Sequence, residues 1–167
     1  MKRTRRLATA ALALALVLPA QAAPASALPA LPFFGLPEPL AAPGTAGMQQ
    51  ALLAETNLYR ASKGLAPLLG HGALDGAAQS WSETMAHQRT LQHNPDYLAA
   101  YPATWRQAAE NVGTFSREVS PREMVQAWIN SPSHRANLEN PDFTHLGVGW
   151  AVNARGELFA TQNFAAL

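Results

Sequence analysis

The sequence predicts an α+β fold, with helices in the first part of the folded chain and an antiparallel hairpin at its end. Three observations predict it. Apolar residues recur with helical spacing in three segments, bulky and small residues alternate in "LGVGWAV" near the end, and the 167 residues are 48% hydrophobic. The chain contains no cysteine, so this core must hold the fold without disulfides.

The N-terminus predicts a secretory signal peptide over residues 1–22. The basic "MKRTRR" precedes an apolar stretch too short to span a membrane, and "AQA" supplies a cleavage signal. Residues 23–47 are rich in Pro, Ala and Gly and predict a spacer, which leaves 48–167 as one folded domain. We therefore expect a protein that is secreted or associated with the cell envelope, with no transmembrane segment once the signal is removed.

The charge of the mature chain argues against polyanionic partners. Removing the signal takes away four of the 12 basic residues and leaves 11 acidic ones, a net charge of −3. No cluster of Lys or Arg remains, so nucleic acid and anionic membrane surfaces are poor partners. We expect a monomer.

The first predicted helix starts near Met48 and stops at Gly64. Its apolar arc consists of Met48, Ala51, Leu52, Leu58 and Tyr59. Glu55 falls inside this arc, and we expect it to pair with an arginine at the rim. Arg60 is expected to anchor the helix rather than to bind a ligand.

The second predicted helix lies in "LDGAAQSWSETMAHQR". Its buried positions follow i, i+3, i+4, i+7 spacing and are Leu74, Ala77, Ala78, Trp81 and Met85. The alanines predict that this helix lies close against its neighbour. His71, just before it, is a candidate cap.

The third predicted helix opens with Ser120 as N-cap, Pro121 at the first position and Glu123 completing a capping box. Its buried stripe is Met124, Val125 and Trp128. Pro132 ends it, and a short fourth helix is expected to follow at once, capped by the Ser131 hydroxyl.

The last part of the chain predicts strands. Leu146, Val148, Trp150 and Val152 alternate with Gly147, Gly149 and Ala151, so one strand face is nearly bare and can be approached closely. "NARG" predicts a turn, "ELFATQNFA" the return strand, and "ENVGTF" a third strand. Gln162 and Asn163 are expected to satisfy backbone at the sheet edge, and Asn111 to bond loop backbone.

Three polar residues at element edges could carry chemistry: His93, Glu110 and His134. The positive end of the helix after Ser131 should keep His134 neutral, and a neutral imidazole can bind a metal or accept a proton. Two histidines and a carboxylate also form a zinc ligand set. Spacing alone, without an HExxH helix or a Cys pair, favours surface or capping histidines.

Several segments occur in the order seen in the CAP superfamily, and the chain resembles its bacterial SCP-like branch. These segments are "NLYRASKGLAPL" (57–68), that of His93, "AENV" (109–112), "WINSPSHRANL" (128–138), "LGVG" (146–149) and "FATQNF" (159–164). The resemblance implies an α-β-α sandwich with a central antiparallel sheet flanked by helices. It also implies a ligand-binding cleft lined by His93, Glu110, Ser131 and His134, in which the family's second glutamate is replaced by Ser131. His93, Glu110 and His134 would be the metal ligands.

The leading interpretation is a secreted, non-catalytic module that binds a lipid, a cell-wall component or a protein partner. The alternative is a zinc-dependent hydrolase using His93, Glu110 and His134, with a metal-bound water as nucleophile. A serine enzyme pairing Ser131 with His134 is weaker, because the hydroxyl is expected to cap the helix. A structural envelope protein with a vestigial cleft is the third reading. No cofactor is certain, and zinc is the one candidate.

Overall fold

The computed structural model describes residues 45–167, which form four α-helices, a short 3₁₀ helix and a four-stranded sheet. The helices are α1 (Thr45–Ser62), α2 (Gly72–Gln88), α3 (Pro121–Asn130) and α4 (Pro132–Leu138), with the 3₁₀ helix at Tyr97–Ala100. The strands are β1 (Leu69–Gly70), β2 (Gln107–Ser116), β3 (His145–Val152) and β4 (Glu157–Ala166). The predicted signal peptide and most of the predicted spacer lie outside the described residues.

The strands are ordered β1-β3-β4-β2, so β4 lies in the middle of the sheet. Both of its neighbours, β2 and β3, run antiparallel to it. Helix α2 covers one face, and α1 and α3 cover the other. The predicted α+β class and sandwich are confirmed. Strand β1, parallel to β3, was not predicted because two residues carry no periodicity.

Helix α2 lies directly on the small-residue face of β3. A Cβ atom added to Gly147 would stand 2.2 Å from the Leu74 carbonyl carbon, and one added to Gly149 would stand 2.1 Å from the Gln79 nitrogen. The helix backbone therefore occupies the space that side chains on β3 would fill. This confirms that the bare face of the strand is closely approached.

Side chains of the helices complete the outer edge of β3 beyond the short β1. The Val148 N–H donates to Asp75 Oδ1 at 2.8 Å, and Gln79 both accepts from the Trp150 N–H and donates to its carbonyl. Gln49 donates to the Val148 carbonyl at 2.8 Å. Because these groups are paired, this edge offers little to an incoming strand.

The larger core lies on the other face of the sheet, beneath α1 and α3. The predicted stripe of α3 is buried there, and the capping box at its start is present as predicted. The principal members of this core are Leu52, Leu68, Met124, Val125, Trp128, Leu138, Phe143, Leu146, Val148, Leu158 and Phe164.

The buried arc of α1 differs from the prediction. Leu58 is 51% exposed, whereas Leu52, Thr56 and Arg60, spaced four residues apart, are fully buried. The prediction is wrong because the two polar side chains find partners inside the protein. The Thr56 hydroxyl, for example, donates to the Leu52 carbonyl at 2.8 Å. Glu55 does pair with an arginine, Arg122, at 3.5 Å.

Arg60 anchors α1 to the far end of the domain, as predicted. Its Nε donates to the Ala66 carbonyl, and its Nη1 donates to the Leu138 and Asn140 carbonyls, each at 2.9 Å. One fully buried guanidinium thus ties α1 to the loop that follows it and to the end of α4. None of the helices within residues 45–167 is both long and apolar enough to cross a bilayer.

Candidate functional site

Three elements bring the predicted site residues to the β2 edge of the sheet. Glu110 lies on β2, His93 lies in the segment after α2, and His134 lies in the first turn of α4. His93 Nδ1 is 2.9 Å from Glu110 Oε1, although 17 residues separate them in the chain. The charge of His93 also acts on His134. We call these three residues the His/Glu cleft.

Glu110 is the buried anchor of the cleft. It is 4% exposed, and its Oε1 also accepts the Asn94 backbone N–H at 2.9 Å. Its Oε2 is buried and has no hydrogen-bond partner. The His93 side chain, at 22% exposure, forms the outer side of the pair. Glu110 therefore keeps one carboxylate oxygen that is free to accept a hydrogen bond.

His134 is held through its backbone by a buried amide network. Asn111 Nδ2 donates to the His134 carbonyl at 3.2 Å and to Gln162 Oε1 at 3.1 Å. Asn137 in turn donates to Asn111 Oδ1 at 2.8 Å. The network orients the start of α4, and Asn111 bonds the backbone of this helix rather than the loop backbone that was predicted. His134 is 4% exposed, and its Nε2 is buried without a partner.

His134 favours the neutral form, as predicted. Burial is the main cause that lowers its pKa below the usual 6.5, and the charge of His93 adds to it. The predicted cause, the field of the helix, is not needed. A neutral imidazole can offer its Nε2 to a ligand without the cost of burying a charge.

The Ser131 hydroxyl does not cap α4, contrary to the prediction. Ser131 occupies the N-cap position of α4, but its side chain makes no capping hydrogen bond. Its Oγ is 3.4 Å from the Ser133 hydroxyl instead. The Ser131 hydroxyl contacts the Ser133 hydroxyl instead of a backbone N–H of α4, so the helix has no side-chain cap.

The described residues do not present a ready metal site. Within 45–167, no three His, Cys, Asp or Glu side chains are grouped so that they could hold a metal ion. Glu110 Oε1 is already engaged by His93 Nδ1 and by backbone, whereas Glu110 Oε2 and His134 Nε2 are buried without a hydrogen-bond partner. The proposed metal role of His93, Glu110 and His134 therefore stays a prediction.

Other predicted polar residues take different places. Gln162 and Asn163 do not satisfy backbone at a sheet edge, because β4 is central. Gln162 donates to Thr56 Oγ1 at 2.9 Å, and neither polar atom of Asn163 has a partner. His71 precedes α2 without capping it. His145 begins β3 and meets the His71 ring edge-on, with centroids 5.8 Å apart.

Sequence reasoning missed that Asn163 is a fully buried polar residue without a partner. The available signal was the polar run "TQN" in the middle of an otherwise apolar strand, with all three residues fully buried. A polar residue at the centre of a covered strand needs a specific partner.

We expect the pKa of His134 to make stability pH-dependent. The folded state holds the pKa of His134 below 6.5, so the unfolded state binds this proton more readily. The contribution of neutral His134 to the free energy of unfolding is therefore complete above pH 6.5 and is lost as the pH falls. His145, whose pKa is lowered by burial and by His71, acts in the same direction. His134→Gln should reduce the fall in unfolding free energy between pH 7.5 and 5, measured by urea denaturation. His87→Gln, at an exposed position, should leave the fall unchanged; an equal fall in His134→Gln would contradict the assignment.

Comparison with known proteins gives one family. The model of the cysteine-rich secretory protein family, CAP, matches residues 53–164. YkwD of Bacillus subtilis is 31% identical over 118 residues, which cover 66% of this chain and 45% of that protein. A membrane protein of the same organism, YlbC, is 32% identical over 123 residues, which cover 70% of this chain and 34% of that protein. This chain thus spans less than half the length of these two curated relatives.

Solved structures agree with the fold. An extracellular protein containing an SCP domain from Bacillus anthracis str. Ames aligns with a TM-score of 0.64 and 29% identity, over 74% of this chain and 41% of that one. An outer surface protein from Borrelia burgdorferi aligns with a TM-score of 0.62 over 70% of this chain and 90% of that one. At 20% identity, the second likeness concerns the fold alone.

Proposed function

We propose that this chain, which belongs to the cysteine-rich secretory protein (CAP) family, is a non-catalytic module that binds a ligand through the His/Glu cleft. The ligand would be a lipid, a cell-wall component or a protein partner at the cell envelope. The observation that carries the proposal is a pair of buried, unpartnered atoms, Glu110 Oε2 and His134 Nε2, on β2 and on the helix that packs against it.

Unpartnered buried polar atoms are costly, which is why a bound group is expected here. A buried polar group without a partner costs about 1–3 kcal/mol, and more if it is charged. The rest of the cleft is well bonded, since Glu110 Oε1 accepts two hydrogen bonds and Asn111 fixes the His134 backbone. The two free atoms are thus held in place before a ligand arrives, which lowers the entropy lost on binding.

The site lacks the arrangement that nucleophilic catalysis needs. The Ser131 hydroxyl contacts the Ser133 hydroxyl, and among the described residues no base is hydrogen-bonded to it. Serine catalysis needs a base within hydrogen-bond reach of the hydroxyl. This favours binding over a serine hydrolase.

The zinc-dependent hydrolase finds less support than the binding module. A catalytic zinc site usually takes three protein ligands and leaves a fourth position for water. The described residues offer no such group of three, and Glu110 already accepts from His93. We therefore keep binding as the function that the cleft supports best.

An extracellular or envelope location is part of the proposal. Two things support it: the signal-like residues 1–22, and a similar solved protein that is described as extracellular. The family name refers to cysteines, but this chain has none. Its fold is therefore independent of the redox state of the compartment.

Glu110→Gln tests the proposal. The substitution keeps the shape of the side chain but weakens the acceptor at Oε2, so retention of envelope components should fall about tenfold or more. The measurement is native mass spectrometry of the purified protein after incubation with bacterial envelope extract. The matched control is Glu118→Gln, whose side chain is 76% exposed, and it should retain the same components as the wild type. A wild type that retains nothing, or a Glu110→Gln variant that retains everything, would overturn the proposal.

A further inference from the structure

A cavity of about 230 Å³, open to solvent on one side, lies beside the first turns of α1 and beyond the end of the short β1. We call it the α1 cavity. Its lining is apolar at Leu53, Leu146 and Val148 and polar at Gln49 and Asp75. It borders β1 and β3, whereas the His/Glu cleft lies at the β2 edge of the sheet, so the two sites are separate.

The α1 cavity has room for one aromatic ring. An apolar cavity of about 150 Å³ inside a protein is large enough to bind benzene. The room exists because Gly70, which also lines the cavity, carries no side chain. A Cβ atom added to Gly70 would stand 3.4 Å from Leu53 Cδ2, so a larger side chain at this position would occupy the cavity.

The polar lining favours an uncharged occupant that brings N–H donors. Gln49 donates through Nε2 to the Val148 carbonyl, and Asp75 accepts the Val148 N–H through Oδ1, so each keeps a second oxygen as an acceptor. The Asp75 carboxylate repels an anionic head group, which argues against a fatty acid or a phospholipid. A peptide segment supplies backbone N–H groups without a charge.

The chain itself contains such a segment shortly before α1. Residues 31–37 read "LPFFGLP", carry no charge, and contain Phe33 and Phe34, the two aromatic residues among the first 44. The 11 residues from Phe34 to Thr45 reach about 34 Å when extended. Leu53 lies about 12 Å from Thr45 along the axis of α1. The segment can therefore reach the α1 cavity, and the tether holds it there at an effective concentration on the order of millimolar.

We propose that residues 31–37 dock on the α1 cavity and insert one phenyl ring, that of Phe33 or Phe34, between α1 and β3. A tethered occupant loses less translational freedom on docking than a separate partner does. The inference goes beyond the proposed function, because it concerns the opposite edge of the sheet. The docked segment would fix the direction from which the spacer enters the folded domain.

The direct test is NMR of the chain that remains after removal of the predicted signal peptide, residues 23–167. We expect intramolecular contacts from phenyl protons of residue 33 or 34 to the methyl groups of Leu53 and Val148. Replacing both phenylalanines by alanine should shift these methyl signals and leave the Glu110 amide, at the opposite sheet edge, unchanged. Absence of the phenyl contacts would overturn the proposal. So would contacts that appear only between differently labelled molecules, because the occupant would then be a second copy.

Gly70→Leu gives the second test, because its side chain fills the α1 cavity. It should speed cleavage by chymotrypsin after Phe33 and Phe34 about tenfold, since burial of a phenyl ring protects this segment in the wild type. The matched control is Gly72→Leu, which adds the same side chain at an exposed position with no neighbour within 4 Å, and it should be cleaved at the wild-type rate. Equal rates in a folded Gly70→Leu variant and the wild type would overturn the docking. If Gly70→Leu does not fold, the phenyl contacts in the wild type decide alone.

Discussion

Replacing Gly149 by alanine should destabilise the fold by about 3 kcal/mol, an overpacking effect in the upper part of its usual range. The added Cβ would stand 2.1 Å from the Gln79 nitrogen and 2.2 Å from the Ala78 carbonyl carbon. Both atoms belong to the backbone of α2, so relief requires the whole helix to move off the sheet. Urea denaturation monitored by tryptophan fluorescence measures the change.

Gly76→Ala is the matched control. This glycine lies on the exposed side of α2, and a Cβ added there has no neighbour within 4 Å. Alanine is also the better helix former by about 1 kcal/mol, so this variant should be slightly more stable than the wild type. If both variants kept wild-type stability, α2 would not lie on β3 as closely as described here.

The second large effect is expected for Arg60→Met, at about 4 kcal/mol. Methionine keeps much of the apolar stem but removes all three hydrogen bonds to the Ala66, Leu138 and Asn140 carbonyls. These carbonyls would lose a charged donor inside the protein, which costs more than a lost surface contact. Thermal or urea unfolding measures the loss.

Arg122→Met is the control for Arg60→Met. Arg122 carries the same side chain, but it is 66% exposed and makes one surface contact with Glu55 at 3.5 Å. Exposed ion pairs contribute little, so a change within roughly 0.5 kcal/mol is expected. Arg60→Lys should recover only part of the stability, because a single ammonium cannot reach three carbonyls in the fork geometry of a guanidinium. Equal losses in Arg60→Met and Arg122→Met would refute the anchoring role.

Periodicity and cap chemistry predicted most of the regular structure. The helix after Ser120 has the predicted capping box, and the alternation from Leu146 to Trp150 forms the predicted strand. Close packing was also predicted separately for the alanine-bearing helix and for the glycine face of the last strands, but not that α2 and β3 are each other's partners. These signals are local, and each needs only a few neighbouring residues.

Features that depend on distant partners were not predictable in the same way. Leu58 was placed in the core because it is apolar, but Arg60 lies there instead, satisfied by carbonyls 78 and 80 residues away. Strand β1 is too short to show a period. Asn163 was assigned to an edge because the sequence does not reveal that the last predicted strand pairs on both sides.

The candidate site was inferred from the resemblance more than from spacing. The resemblance placed His93, Glu110 and His134 in one cleft, and the structure joins the first two by a hydrogen bond. The direction of the His134 pKa was also correct, although burial is the cause. The hydroxyl of Ser131 was assigned to the helix cap by residue type, but the nearby Ser133 competes for it.

The central position of β4 has a consequence for how the molecule is made. This strand comes after every other described element in sequence, yet β2 and β3 each pair with it and do not pair with each other. During synthesis, β2 and β3 are made first and cannot be joined in the sheet until residues 157–166 emerge and pair with both of them. We therefore expect folding to occur only after translation has passed this strand, at the slow pace of long-range strand pairing. A polypeptide with this order of assembly keeps its sheet incomplete until residues 157–166 are available for pairing.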